Sequence, residues 1–296
     1  MKKVLVTGAG GVLGGKLVQE FAKDRTVEVY ALSSRLDRIS KEFSAVDNIH
    51  VIANKDIHKI SANGIDCLIH CAFARSESGA ELVSSINFSK QVFEWASGSV
   101  NKVINISSQA VYGGKSVEKS CEESPLNPSS HYGITKYACE ELANVIFADS
   151  TTKFTNIRLA SLIGAAYPDH LVCRMTQKAL AEHKLQIITG DILFSFLHVN
   201  DAVKCIMKIA DSDNVDAWEK IYNLGSDAGT LLKDIAETIA DVIKRVKGDS
   251  VEIEFLNSDK SHTISLDTSR IKRDFNWEAE YTLSDTVTEI VNALAE

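Results

Sequence analysis

The segment Thr7-Gly8-Ala9-Gly10-Gly11-Val12-Leu13-Gly14 follows an apolar run at Lys3–Thr7 and opens a helical pattern over Val12–Lys23. Glycines at 8, 11 and 14 stand three apart across a strand-to-helix turn. Such spacing allows a tight turn, close backbone approach to a pyrophosphate, and close packing of helix on strand. The new helix then presents bare N–H groups and the positive end of its dipole at the same place. The turn predicts a βαβ unit that binds a dinucleotide; a glycine-rich turn without a ligand is the alternative.

The rest of the first half keeps that rhythm. Short β-branched runs at Val27–Leu32, His50–Ala53, Asp66–Cys71, Lys102–Ser107 and Phe154–Leu159 alternate with helical patterns, notably Glu81–Ala96 and Tyr132–Ala148. Alternation of this kind predicts an α/β chain with a Rossmann-like, doubly wound parallel sheet. Right-handed crossovers would gather the carboxyl ends of the strands at one edge, where ligands bind. After Gly164 the pattern loosens into a helix at His170–Glu182, short strands at Gln186–Ile188 and Phe196–Val199, and a helix from Asp201. A strand at Ile221–Leu224, a long helix Leu231–Lys247, a strand Val251–Phe255 and two terminal helices complete the chain. The expected division is a dinucleotide-binding domain over 1–164, to which 192–225 returns, and a smaller, interleaved substrate domain over 165–296. A polar connection, 113–130, leads into Tyr132.

A net charge of −8 disfavours nucleic acid and anionic membranes as partners. Lys2 and Lys3 precede only three apolar residues before Thr7, too few for a secretory signal, and no run reaches the roughly 20 apolar residues of a membrane span. A soluble, cytoplasmic protein is expected. The six cysteines form no C-x-x-C pair and the eight histidines no H-x-x-x-H pair, so no metal site is expected.

Tyr132-Gly-Ile-Thr-Lys136 brings chemistry to this scaffold. Four residues along a helix bring two side chains onto one face, about 5–6 Å apart at Cβ. An ammonium beside a phenol favours the ionised phenol. The end of the second strand bears on the cofactor: an acid there takes ribose hydroxyls, a base accepts a 2′-phosphate. It reads Ser33-Ser34-Arg35, with no acid before Asp37. NADP(H) is therefore preferred, and NAD(H) is the alternative.

These residues resemble the extended short-chain dehydrogenase/reductase family, the NAD-dependent epimerase/dehydratase group, over essentially the whole chain. Thr7-Gly8-x-x-Gly11-x-x-Gly14 is similar to its glycine motif, and Asp66-x-x-x-His70-x-Ala72 to its fourth-strand motif. Ser107-Ser108-x-x-Val111-Tyr112-Gly113 and Pro128-x-x-x-Tyr132-Gly-x-x-Lys136-x-x-x-Glu140 resemble its catalytic motifs. His198-Val199-x-Asp201, Tyr222-Asn223-Leu224-Gly225 and Phe275-Asn276-Trp277 resemble its closing signatures. The resemblance implies Ser108, Tyr132 and Lys136 as catalytic residues. It implies cofactor contacts from Gly8, Gly11, Val12, Leu13 and Gly14, and from Ser33, Ser34 and Arg35. Asp56 and Ile57 would touch adenine, while Cys71, Ala72, Asn87 and Leu159, with Tyr132 and Lys136, would complete the cofactor site. Phe73, Ser108, Ser161 and Arg174 are the expected substrate contacts. Family members commonly dimerise through two helices, here Glu81–Ala96 and Tyr132–Ala148.

The departures narrow the activity. Dehydratases of this family carry an acidic pair after the catalytic hydroxyl, and Gln109-Ala110 stands there, so elimination of water is disfavoured. Ser161 and Ile163 replace the family's Asn and Tyr in Arg158-x-x-Ser161-x-Ile163-Gly164. Phe194 or Ser195 stands where many nucleotide-sugar enzymes carry a diphosphate-binding Arg. Serine cannot replace a bidentate guanidinium. Either Arg174, Lys178 or Arg75 supplies that charge, or the substrate is no nucleotide diphosphate. The expected activity is an NADPH-dependent ketoreductase acting on a keto sugar, with a nucleotide-linked sugar as the expected substrate class. An NAD-retaining nucleotide-sugar 4-epimerase, a reductase of a non-nucleotide carbonyl, and a catalytically silent dinucleotide sensor are the alternatives.

Overall fold

The strand β1 (Lys2–Thr7) is buried from Val4 through Thr7 on both faces, as a central parallel strand covered by helices must be. It leads through the glycine turn into α1 (Val12–Ala22) and on to β2 (Val27–Ser33). Then come α2 (Leu36–Phe43), β3 (Ile49–Ala53), a 3₁₀ turn (Asn54–Lys59), β4 (Cys67–His70) and α3 (Gly79–Ala96). β5 (Lys102–Ser108), a second 3₁₀ turn (Gln109–Tyr112), α4 (His131–Ile146) and β6 (Lys153–Leu159) follow. The remainder runs β7 (Ser161–Ile163), α5 (Leu171–Glu182), β8 (Lys184–Phe194), β9 (Phe196–His198), α6 (Val199–Asp211) and β10 (Ile221–Leu224). β11 (Thr230–Leu231), α7 (Leu232–Lys247), β12 (Glu252–Ile264), α8 (Ser269–Phe275) and α9 (Leu283–Ala293) end the chain. The structure is a computed structural model and describes residues 1–76, 78–114, 118–226 and 229–295. Residues 115–117 of the polar connection 113–130 lie outside the described residues.

A seven-stranded sheet has the order β10-β6-β5-β4-β1-β2-β3. Neighbours from β3 to β5 pair in parallel. The order reverses between β1 and β4, where Thr7 lies beside His70 on one side and Leu32 on the other. A crevice opens at such a switch point, beyond the carboxyl ends of the strands. Leu5, Leu68 and Val103 of the sheet pack with Phe93 of α3 and Ala143 of α4, so both helices are seated by one apolar cluster.

The chain forms two compact units. One comprises 1–112, 126–158 and 203–222; the other comprises 113–125, 159–202 and 223–296. β7 and β9 pair with each other in a separate two-stranded sheet. β8 and β12 extend well past the runs Gln186–Ile188 and Val251–Phe255 because they pair with each other in parallel over their length, across a register shift between Asn257 and Ser261. In this second unit Val172, Ile187, Ile239, Val287 and Ile290 form the core. Among the described residues no helix is long and apolar enough to cross a membrane.

Candidate active site

The glycine turn is built from close approaches. Gly8 has φ +71°, and a Cβ there would lie 2.8 Å from the Ala72 nitrogen. A Cβ on Gly14 would lie 2.3 Å from the Gly8 carbonyl oxygen. The Gly11 N–H donates to the Gly8 carbonyl at 2.9 Å, and no side chain caps the amino terminus of α1. Gly11 is exposed and Val12 half-buried, while Leu13 is buried in the core. Gly8, Gly10 and Gly11 of the turn line a cavity of about 880 Å³. A cradle that a methyl group would fill, beside an uncapped helix amino terminus, fits a dinucleotide pyrophosphate.

The cavity is lined by Gly8, Gly10 and Gly11, by Ser33, Ser34 and Arg35 at the end of β2, and by Cys71, Ala72 and Phe73 after β4. Ser33 is buried and its hydroxyl accepts from the Arg35 N–H at 2.9 Å. Ser34 and Arg35 are exposed at the rim. Asn87 lines the cavity from α3, together with Ser84, Ser85, Phe88 and Gln91. Ser84 and Gln91 flank the expected Asn87 at helical spacing, so the three form one polar stripe on α3. Asn54 and Lys55 line the wall near the first 3₁₀ turn. Their neighbours differ: Ile57 is buried in the core, and Asp56 pairs with Lys59 at 2.8 Å.

His70 steadies the wall behind Ala72. Its Nε2 meets the Ser89 hydroxyl at 2.9 Å, and that hydroxyl donates to the Ser85 carbonyl at 2.9 Å. Nε2 therefore carries the hydrogen, and Nδ1 accepts from the Thr7 hydroxyl at 2.9 Å. Burial, helped by the charge of Lys136, pushes His70 down to about 3, so the ring is neutral. Burial also pushes the Cys71 thiol up to about 12, which leaves no thiolate nucleophile there. Among the described residues no cluster of His, Cys, Asp and Glu could hold a metal ion.

The three candidate catalytic residues come from adjoining segments. Ser108 ends β5, half-buried, and its oxygen accepts from the Ala110 N–H at 3.2 Å. Tyr132 lies in the first turn of α4, whose cap is Ser130, accepting from the Gly133 N–H at 3.1 Å. A Cβ on Gly133 would lie 2.6 Å from the Ala110 carbonyl oxygen, so glycine lets the helix press against the turn that follows Ser108. Lys136, one turn along, is buried and donates to the Ile106 carbonyl at 2.7 Å. Its Nζ lies 6.0 Å from the Tyr132 ring centroid and 4.1 Å from that of Phe73. Phe73 in turn meets Tyr132 edge-on at 5.9 Å. Phe73 is thus the link between the cavity and the Tyr/Lys pair.

The remaining expected residues belong to the second unit. Leu159 is buried at the end of β6, Ser161 is half-buried at the start of β7, and Arg174 is exposed on α5. Lys178 pairs with Glu182 at 3.8 Å, and Arg75 is exposed in the first unit. Phe194 stacks parallel to Phe196 at 5.8 Å, and the buried Ser195 hydroxyl donates to the Ser226 carbonyl at 3.1 Å. Gln109, which stands beside Ser108 in place of an acid, has a buried Oε1 with no hydrogen-bond partner among the described residues.

The chain is similar to known proteins in sequence and in fold. The chain is 23% identical over 320 residues to the dTDP-4-dehydro-6-deoxyglucose reductase of Escherichia coli, covering 98% of this chain and 97% of that protein. It is 23% identical over 317 residues to an uncharacterized UDP-glucose epimerase of Bacillus subtilis, covering 99% and 98%. Its fold matches the crystal structure of a UDP-glucuronic acid 4-epimerase variant from Bacillus cereus in complex with a fluorinated UDP-sugar and NAD, with a TM-score of 0.82, 21% identity and 99% of each chain covered. It also matches a dTDP-glucose 4,6-dehydratase of Bacillus anthracis in complex with NAD, with a TM-score of 0.80, 20% identity, and 100% of this chain and 97% of that one covered. The family model of the NAD dependent epimerase/dehydratase family matches residues 4–225, well over half of the sequence. With its glycine cradle and switch-point cavity, the chain belongs to the NAD dependent epimerase/dehydratase family of enzymes.

Proposed function

We propose that this protein is a ketoreductase acting on a nucleotide-linked keto sugar, with Tyr132 as acid/base. The observation that carries the reading is Phe73, which lines the dinucleotide-sized cavity and touches both Tyr132 and Lys136. A bound nicotinamide dinucleotide supplies or takes the hydride. The chain's own residues handle the oxygen and its proton. Ser108 accepts from the Ala110 N–H and keeps its hydroxyl proton to donate to the substrate oxygen. Tyr132 gives its phenol proton to that oxygen as the carbonyl is reduced. The buried ammonium of Lys136 offsets the negative charge left on the phenol oxygen. No carboxylate follows Ser108, since Gln109-Ala110 stands there, which supports reduction over elimination of water.

The test separates the reductase from a 4-epimerase, the reading favoured by the names of several relatives. The protein is denatured and the supernatant assayed for nicotinamide nucleotide. The reductase reading expects no stoichiometric release, and consumption of NADPH with a dTDP- or UDP-linked 4-keto sugar. One equivalent of released NAD with no NADPH consumption would contradict it.

NADPH is the proposed reductant because Arg35 stands exposed at the cavity rim and the end of β2 offers no carboxylate to ribose hydroxyls. Arg35→Ala should weaken NADPH binding about tenfold, the scale of one charge-assisted hydrogen bond, and leave NADH binding within about twofold. Equal loss for both, titrated by fluorescence, would place Arg35 outside the 2′-phosphate site.

A homodimer through α3 and α4 is also proposed, supported by Val83, Ile134 and Val145, which stand exposed on these helices. Sedimentation should give twice the mass of one chain, and Val145→Glu should give the single-chain mass. A wild-type protein that sediments as a single chain removes the proposal.

A further inference from the structure

Lys136 and Glu140 stand four residues apart on α4, the spacing at which a lysine and a glutamate on a helix ordinarily meet. Both are buried, and burial strengthens any such attraction. Yet the Lys136 ammonium donates to the Ile106 carbonyl at 2.7 Å and faces the Phe73 ring, while the Glu140 carboxylate is held elsewhere. Arg158, on β6, donates through Nε to both oxygens, at 3.1 and 3.2 Å, and through Nη2 to Oε2 at 2.8 Å. The Ser107 hydroxyl donates to Oε1 at 2.5 Å. Arg158 also donates through Nη1 to the Tyr112 hydroxyl at 2.9 Å. Both carboxylate oxygens are therefore claimed by donors outside α4. Burial alone works against the Arg158 charge, but the hydrogen bonds and charge of Glu140 outweigh it and raise the guanidinium further above its ordinary value.

We infer that Arg158 is a positioning residue that withholds the Glu140 carboxylate from Lys136, so that the ammonium stays directed at the candidate active site. Ser107 and Tyr112 tie the same cluster to the segment that carries Ser108. One buried pair therefore fixes β5, the turn after it, α4 and β6 relative to one another. A catalytic lysine with a glutamate one turn away needs such a competitor, because its own helix offers it a salt bridge that would draw it off. The inference rests on the proposed role of Lys136 at the cofactor only for its effect on binding. The position of the ammonium is a separate observable.

The test uses Arg158→Met, Arg158→Lys and the pair Arg158→Met with Glu140→Gln, each with Lys136 intact and in a Lys136→Met background. Crystal structures of the Arg158 variants should place Lys136 Nζ on the Glu140 carboxylate and off the Ile106 carbonyl. In the paired variant, which has no carboxylate to capture it, Nζ should return to Ile106. Titration with NADH and with NADPH should show about tenfold weaker binding for Arg158→Met, the scale of one hydrogen bond to a charged group. That loss should vanish in the Lys136→Met background and be recovered to within about twofold in the paired variant, since residues acting through one another are not additive. Arg158→Met leaves a buried carboxylate without its partner and is the variant most exposed to failure in folding. Arg158→Lys keeps the positive charge but surrenders the fork, and should show the same coupling at about threefold. Lys136 remaining on Ile106 in Arg158→Met or Arg158→Lys overturns the inference, as do losses that add to those of Lys136→Met. A Lys136→Met protein that binds both nucleotides normally while Nζ still shifts in the Arg158 variants would instead remove the proposed contact of Lys136 with the cofactor.

Discussion

Tyr132→Phe should lower turnover by about 10³-fold, within the range carried by a single general acid. Nucleotide binding should stay within about twofold. The substitution removes one oxygen and keeps the ring, so the edge-on contact with Phe73 and the seat of α4 on the Ala110 turn both persist. The proposed donation from the Ser108 hydroxyl is untouched by the substitution and would account for a residual rate. The loss should fall on kcat, because the phenol proton is transferred only as the carbonyl is reduced. Steady-state kinetics beside a nucleotide titration separate these effects. A loss confined to KM would make Tyr132 a binding residue, and unchanged turnover would leave the proposed chemistry without its acid.

Gly14→Ala carries the second large effect. Its methyl group would lie 2.3 Å from the Gly8 carbonyl oxygen, 2.7 Å from the Gly8 carbonyl carbon and 3.1 Å from the Ala9 nitrogen. All three are backbone atoms of the turn itself, and Gly8 is pinned in turn by its approach to Ala72. Neither side can yield without moving α1 away from the turn. The expected cost is about 1–3 kcal/mol of stability, as for overpacking elsewhere. Nucleotide affinity should fall by more than about a hundredfold if the helix amino terminus holds the phosphates, as proposed. Gly64→Ala is the control: its φ of +92° imposes strain, but its Cβ would meet nothing within 4 Å. It should cost about 1 kcal/mol and leave binding alone. Equal binding losses in the two variants would mean that the cradle is not where the phosphates sit.

Much of this was legible before any coordinates. The strands of the sheet through β6 are short β-branched runs, and burial on both faces makes such runs conspicuous. The glycine spacing and the Tyr132/Lys136 spacing are local, so they survive being read one residue at a time. What escaped depends on partners distant in sequence. β8 and β12 reach their full length only because they pair with each other. α2 went unnoticed because its apolar face is two buried residues, Ile39 and Phe43, on an otherwise charged segment. Phe73 was expected as a substrate contact, but its place over the Lys136 ammonium follows from how the loop after β4 meets α4. The pairing of Glu140 with Arg158 rather than with Lys136 likewise needs the sheet to set β6 beside α4. Local spacing alone would have predicted the wrong partner.

The most direct test of the proposed chemistry follows the hydride and the proton together. Protein, NADPH deuterated on the transferred face of nicotinamide C4, and a dTDP- or UDP-linked 4-keto sugar are incubated, and the sugar product is examined by mass spectrometry and NMR. The wild-type protein should place one deuterium on the former carbonyl carbon, and Tyr132→Phe, with nucleotide bound, should place almost none. Label retained on the nucleotide by the wild-type protein, or transferred equally fast by the Phe variant, would contradict hydride transfer with Tyr132 as the acid.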